Sequence, residues 1–185
     1  MMKVDKIAME VQTMEQKSFS SKYGPWALVT GAARGLGAEY SRQIAAKGIN
    51  VVMVDLLADE LARTAEDIRK ASGREIETLT VDLSLPGFID KVKQRTDGME
   101  IGLLVSNAAY GPVGMFVERS LEEKLRVLAI NVRVPLTLAH EFANLRAFLS
   151  LPASGWPSVV SRFSAQSISC WFLLPGIMSA IFCAS

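Results

Sequence analysis

The feature that most constrains this chain is the stretch Thr30-Gly31-Ala32-Ala33-Arg34-Gly35-Leu36-Gly37, set directly behind the apolar run Trp26-Ala27-Leu28-Val29. An apolar strand that feeds a glycine-rich turn and then a helix leaves few architectures open. Gly31 permits the tight turn, Gly35 lets the backbone approach a bound group, and Gly37 lets the helix pack close to the strand. The amides of the helix's first turn then face outward and suit an anion such as a dinucleotide pyrophosphate. The reading is a unit built to bind NAD or NADP.

Composition narrows the partners. A chain of 185 residues makes one domain with a real core, and half of its residues are hydrophobic. A net charge of +1 argues against nucleic acid or an anionic membrane surface as partner. Cys170 and Cys183 lack metal-ligand spacing, so no metal site is expected and both read as reduced thiols. The opening Met1-Met2-Lys3-Val4-Asp5 has no signal-peptide pattern, and the longest uncharged stretch, 163–185, is broken by Pro175-Gly176. A cytoplasmic protein without a membrane span is expected.

Residues 1–22 are polar and irregular and read as a flexible arm. Strands are expected at Trp26–Thr30, Asn50–Val54, Glu75–Val81 and Ile101–Ser106. The helix after Gly35 places Leu36, Tyr40, Ile44 and Ala45 on one face and stops at Gly48. A second helix runs from Asp59, a candidate N-cap, to Ser72, with Leu61, Ala65 and Ile68 inward and Gly73 at its end. A short helix over Pro86–Thr96 carries Phe88, Ile89 and Val92, and a long one over Leu121–Leu149 is kinked at Pro135. The alternation predicts an α/β fold, a doubly wound parallel sheet of the Rossmann-like kind, incomplete at its C-terminus.

The charge distribution breaks near residue 145. Residues 1–144 hold 37 of the 39 charged side chains, whereas Leu145 onward holds only Arg146 and Arg162. The division is therefore an arm over 1–22, a dinucleotide-binding domain over 23–149 and an atypical tail over 150–185. The tail reads either as a buried terminal strand and helix or as a remnant strand followed by aberrant sequence.

The spacing G-x-x-x-G-x-G differs from the commoner G-x-G-x-x-G. It resembles the first loop of the short-chain dehydrogenase/reductase family, T-G-x-x-x-G-x-G. Further matches follow in order: Asp55 ends the second strand, Asp82-Leu83 ends the third, Ser106-Asn107-Ala108-Ala109 stands where the family has N-N-A-G, and Ile130-Asn131-Val132 carries the helical asparagine. The resemblance covers about residues 24–140 and looks most like the hydroxysteroid and 3-oxoacyl-thioester reductase branches. It implies hydride exchange between a nicotinamide cofactor and a small-molecule alcohol or ketone. The implied cofactor residues are Thr30, Gly31, Arg34, Gly35, Leu36, Gly37, Asp55, Asp82, Leu83, Asn107, Ala108 and Ala109.

Asp55 lies where a carboxylate can accept bonds from both adenosine ribose hydroxyls and repel a 2′-phosphate, which favours NAD over NADP. Arg34 is the counter-argument, because a guanidinium there could pair with that phosphate. The alternative for Asp55 is a strand-end carboxylate capping the next helix. Asp82 resembles the family aspartate that binds the adenine amine; the alternative is a turn-forming Asp before Ser84-Leu85-Pro86. Ala109 replaces a family glycine, at the risk of a strained positive φ. Asn131 resembles the asparagine that holds a water on the family's catalytic lysine; an exposed Asn is the alternative. His140 reads as structural.

The family's chemistry needs Ser, Tyr and Lys, with the tyrosine as general acid/base. Here Tyr23, Tyr40 and Tyr110 all lie upstream and the last lysine is Lys124, so no Tyr-x-x-x-Lys follows Asn131. The resemblance offers Ser161, in Ser158-Val159-Val160-Ser161-Arg162, as the serine, and Phe182 in place of the tyrosine. Three functions stay open: an oxidoreductase impaired in this chain, a non-catalytic nucleotide-binding remnant, and an interaction protein. The oligomer interface is expected to be lost. The expected consequence of the missing strands is aggregation or partial folding.

Overall fold

In the computed structural model, residues 19–142 and the backbone of 147–150 are described. Five parallel strands form one sheet in the order β3-β2-β1-β4-β5: β1 Trp26–Thr30, β2 Asn50–Asp55, β3 Ile76–Thr80, β4 Ile101–Ser106 and β5 Ala147–Ser150. Between them run α1 Gly35–Ala46, α2 Ala58–Ser72, α3 Phe88–Arg95, α4 Leu121–Leu128 and α5 Val134–Glu141. The order reverses between β1 and β4, so the crevice above their carboxyl ends is the place where such sheets take ligands.

Helices cover both faces. On one, Tyr40, Ile44, Leu61, Ala65 and Ile68 close over Val51 and Met53; on the other, Phe88, Val92, Val134 and Leu138 close over Leu28, Val52 and Leu104. The central strands are buried on both sides, which explains their continuous apolar runs. Among the described residues, no helix is long and apolar enough to cross a membrane.

Four local expectations are corrected. Leu36 is half exposed rather than inward, because the buried face of α1 begins at Gly37 and Ala38. Asp59 is not the N-cap of α2; Leu57 is, and Asp59 and Glu60 occupy the first turn, where negative charge opposes the helix dipole. The long helix ends at Glu141, and the apolar run placed at its end contains β5 instead. Its interruption is a π-helical segment, Ala129–Arg133, with Pro135 tolerated in the first turn of α5.

The last residues of the expected arm are not irregular: 19–23 form a helical turn that runs into the domain, the rings of Phe19 and Tyr23 meet at 4.6 Å, and Phe19 packs against the core. The remainder of the arm and the tail from 151 onward, including Ser161 and Phe182, lie outside the described residues.

Candidate functional site

The glycine turn leaves β1 by a bond between strands: the Gly31 and Ala32 amides donate to the Val54 carbonyl at 2.8 and 3.2 Å. Gly31 has φ +68°, a conformation open to glycine at no cost. Helix α1 starts at Gly35 without a side-chain cap, and its first turn bond runs from the Ala38 amide to the Arg34 carbonyl at 3.4 Å. The earlier amides of that turn are therefore free to face a ligand. A Cβ on Gly35 (φ +58°) would meet nothing within 4 Å, whereas one on Gly37 would sit 2.0 Å from the Gly31 carbonyl oxygen. The two glycines thus do different work. Gly37 is required by the protein's own packing, and Gly35 borders open space.

The loop after β4 is locked to this turn. The buried Thr30 hydroxyl accepts the amides of Asn107 and Ala108, both at 3.1 Å. The Asn107 side-chain amide donates to the Thr30 and Gly31 carbonyls at 3.1 and 3.0 Å. Asn107, Ala108 and Thr30 therefore meet at the carboxyl end of β1. No residue other than glycine among those described has positive φ, so Ala109 in place of glycine carries no such strain.

Asp55 ends β2 with its carboxylate already engaged. One oxygen accepts the Ala33 amide of the glycine turn at 2.9 Å, and the other accepts Leu56 and Leu57 at 2.7 and 3.1 Å. It fixes the residues leading into α2 without capping that helix, whose N-cap is Leu57 and has no side-chain bond, and it ties the glycine turn to β2. Thr64 on α2 adds a bond to the Ala33 carbonyl at 2.7 Å. The Arg34 guanidinium is exposed and lies 3.9 Å from the Glu60 carboxylate.

Asp82 forms the turn that its alternative reading described. One oxygen accepts the Ser84 amide and hydroxyl at 2.8 and 2.6 Å, and the other faces Arg126 of α4 at 3.3 Å. Burial pushes this carboxyl up, but the Ser84 bonds and the Arg126 charge outweigh it and hold it below the usual carboxylate range. Leu83 is buried beside it in the core.

Asn131 is not an exposed polar residue. It lies in the π-helical segment and clasps the Tyr110 backbone, accepting its amide and donating to its carbonyl, each at 2.9 Å. The Arg126 guanidinium lies 5.2 Å from the Tyr110 ring centroid. Between this loop and α4 is a cavity of about 580 Å³, lined by Tyr110, Phe116, Leu121, Leu125, Leu128 and Asn131 among others.

Sequence reasoning missed Thr64 and Arg126, whereas Ser84 was already read as part of the turn after Asp82. Thr64 and Arg126 carry no local signal, because their partners lie 31 and 44 residues away. His140 is exposed on α5. Among the described residues, no cluster of His, Cys, Asp and Glu could hold a metal.

The arrangement agrees with the family resemblance. The family model described as short chain dehydrogenase matches residues 25–155. The chain is 34% identical over 96 residues to human 17-beta-hydroxysteroid dehydrogenase type 3, covering 52% of this chain and 31% of that one. It is 32% identical over 126 residues to 7beta-hydroxysteroid dehydrogenase of Collinsella aerofaciens, covering 68% of this chain and 48% of that one. A short-chain dehydrogenase from Sphingobium yanoikuyae, solved in complex with NADPH, superposes with a TM-score of 0.64 at 29% identity, over 68% of this chain and 52% of that one. The chain thus spans about half or less of the length of these curated relatives.

Proposed function

The chain belongs to the short-chain dehydrogenase family, and on that premise we propose that it binds a nicotinamide dinucleotide, NAD in preference to NADP, and is catalytically impaired as these 185 residues. The observation that carries the binding is the uncapped start of α1 beneath Gly35, whose Cβ position is empty while that of Gly37 is filled. The residues present suit the dinucleotide. The first-turn amides would hold the pyrophosphate, and Asp55 retains one acceptor site, on the oxygen that binds Ala33, for a ribose hydroxyl beyond its three amide bonds.

The preference for NAD rests on charge. A 2′-phosphate would approach the Asp55 carboxylate, and the cation that could welcome it, Arg34, is already opposed by Glu60. Titration of tryptophan fluorescence in the full chain should give tighter binding of NADH than of NADPH. Equal or reversed affinities would overturn the preference.

When bound, the nicotinamide supplies or accepts a hydride. Reduction of a ketone also needs a proton at the forming alkoxide, and a positioned donor contributes about 10²–10⁴-fold in rate. Within this chain no tyrosine follows Tyr110 and no lysine follows Lys124. We expect no NAD(H)-dependent turnover above background on alcohols, ketosteroids or 3-oxoacyl thioesters. Tyr110 lines the cavity beside Asn131, so activity that vanishes in Tyr110→Phe would reveal a rearranged site instead. A non-catalytic nucleotide-binding role is the second reading, favoured by the same missing pair. A cytoplasmic location belongs to this proposal and is checked by cell fractionation.

A further inference from the structure

Serine and threonine in a helix or at its end commonly spend their hydroxyl locally, on the carbonyl three or four residues back. Ser41, Ser72 and Thr96 do so here, donating to the Gly37, Ile68 and Val92 carbonyls at 2.8, 2.7 and 2.9 Å. Thr64 does not. From the middle of α2 its hydroxyl donates to the Ala33 carbonyl, 31 residues away in the glycine turn, at 2.7 Å. The rotation of α2 that allows this is fixed by the core, where Leu61, Ala65 and Ile68 are buried. Glu60, one turn before Thr64, meets the next loop residue, Arg34, at 3.9 Å. Helix α2 therefore touches the glycine turn at two consecutive residues.

Ala33 is buried, and both of its backbone groups are engaged: the amide by Asp55 at 2.9 Å and the carbonyl by Thr64. A peptide unit is planar and trans, so a carbonyl held toward α2 turns the N–H of the same unit, that of Arg34, the opposite way. That amide has no hydrogen-bond acceptor among the described residues, and it directly precedes the open first-turn amides of α1. Without the Thr64 hydroxyl, the Ala33 carbonyl would be a buried acceptor with no partner, which is costly. Turning the peptide relieves that cost and puts a carbonyl oxygen where an N–H had been. An oxygen there repels an anion.

We infer that Thr64 is a positioning residue for the phosphates of the bound nucleotide. Acting through the Ala33 carbonyl, it keeps the N–H of the Ala33–Arg34 peptide, and not its oxygen, on the side of the anion. The inference rests on the proposed binding of a dinucleotide and adds to it a residue on α2 that need not touch the ligand. A helix outside the glycine turn then decides how well the turn receives negative charge.

The test compares the full chain with Thr64→Val, which keeps the side-chain shape and removes the hydroxyl, and with Thr64→Ser, which restores it. Thr64→Ala is read in the same way as Thr64→Val, and Ser72→Ala removes a helix-local hydroxyl from the same helix as a control. NADH, ADP and adenosine are titrated against each by nitrogen-15 amide NMR. The expected result for Thr64→Val is binding of NADH and ADP about ten-fold weaker, equivalent to about 1.4 kcal/mol, with adenosine unchanged. Thr64→Ser should recover most of the loss, and Ser72→Ala should show none. Equal weakening of all three ligands would make the bond a support of the fold alone and overturn the inference, as would unchanged ADP affinity. A second readout needs no ligand. In the free Thr64→Val chain the Arg34, Gly35 and Leu36 amide resonances should move while those of Leu28 and Val52 stay, and static loop resonances would overturn the inference whatever the wild-type chain binds. A wild-type chain that takes neither NADH nor ADP, with loop resonances that do move, would instead strike the dinucleotide reading and with it the role in phosphate binding.

Discussion

The β1–α1–β2 unit and the α4–α5 arm are held by different forces. In the first, Ala27, Leu28, Val29 and Val51 through Val54 have no exposed surface, and α1 and α2 seal one face of the strands. In the second, α4 has no buried residue, and the arm is anchored by Val134 and Leu138 together with a few polar contacts. These are Asn131 on Tyr110, Arg126 on Asp82, Arg133 on the Ser84 carbonyl at 2.6 Å, and Lys93 with Glu141 at 2.9 Å. The comparison teaches that the glycine-turn end is specified by packing, while the cavity wall is positioned by polar contacts that single substitutions can release.

The sharpest way to break the comparison is at the glycines. Gly37→Ala should prevent folding, because its Cβ would lie 2.0 Å from the Gly31 carbonyl oxygen. Gly35→Ala should fold, losing about 1–2 kcal/mol to its positive φ, and should lose nucleotide affinity by filling the open space. Circular dichroism melts beside NADH titrations separate the two outcomes.

An intermediate effect is expected at the arm. Asn131→Ala leaves the Tyr110 amide and carbonyl without their side-chain partners, at a cost of about 1–3 kcal/mol by urea unfolding. A loss as large as that of a core truncation would show that the arm is packed as tightly as the strands.

The smallest effect sits at the joint between the regions. The folded-state pKa of Asp82 is lowered, so its contribution is fully present above the unfolded value of about 4 and is lost as pH falls through the folded one. Asp82→Asn should cost a few tenths to about 1 kcal/mol at pH 7 and flatten the acid limb of the stability profile. An identical acid limb in both proteins would remove Asp82 from the joint.

What the sequence disclosed follows the same division. Strands β1 to β4 and the Leu61, Ala65, Ile68 face of α2 were legible because local periodicity and burial agree there. The glycine turn was legible because Gly31 and Gly37 answer backbone demands, but the bond from the Ala33 amide to Asp55, 22 residues away, was not. The end of the long helix was not, since the apolar run 145–149 suits a helix or a strand and only pairing with β4 decides it. Nor was the π-helical segment, where the Asn131 bonds reach a residue 21 positions away.

Thr30 carries a consequence of another kind. Its buried hydroxyl holds the amides of two loop residues, Asn107 and Ala108, against the end of β1. Those hydrogens exchange only when the Thr30 bonds break, so their deuterium uptake should trail far behind that of exposed Val113. In isotope-exchange terms the floor of the ligand crevice is a continuation of the sheet. A bound dinucleotide would then meet a surface that is already rigid before it arrives.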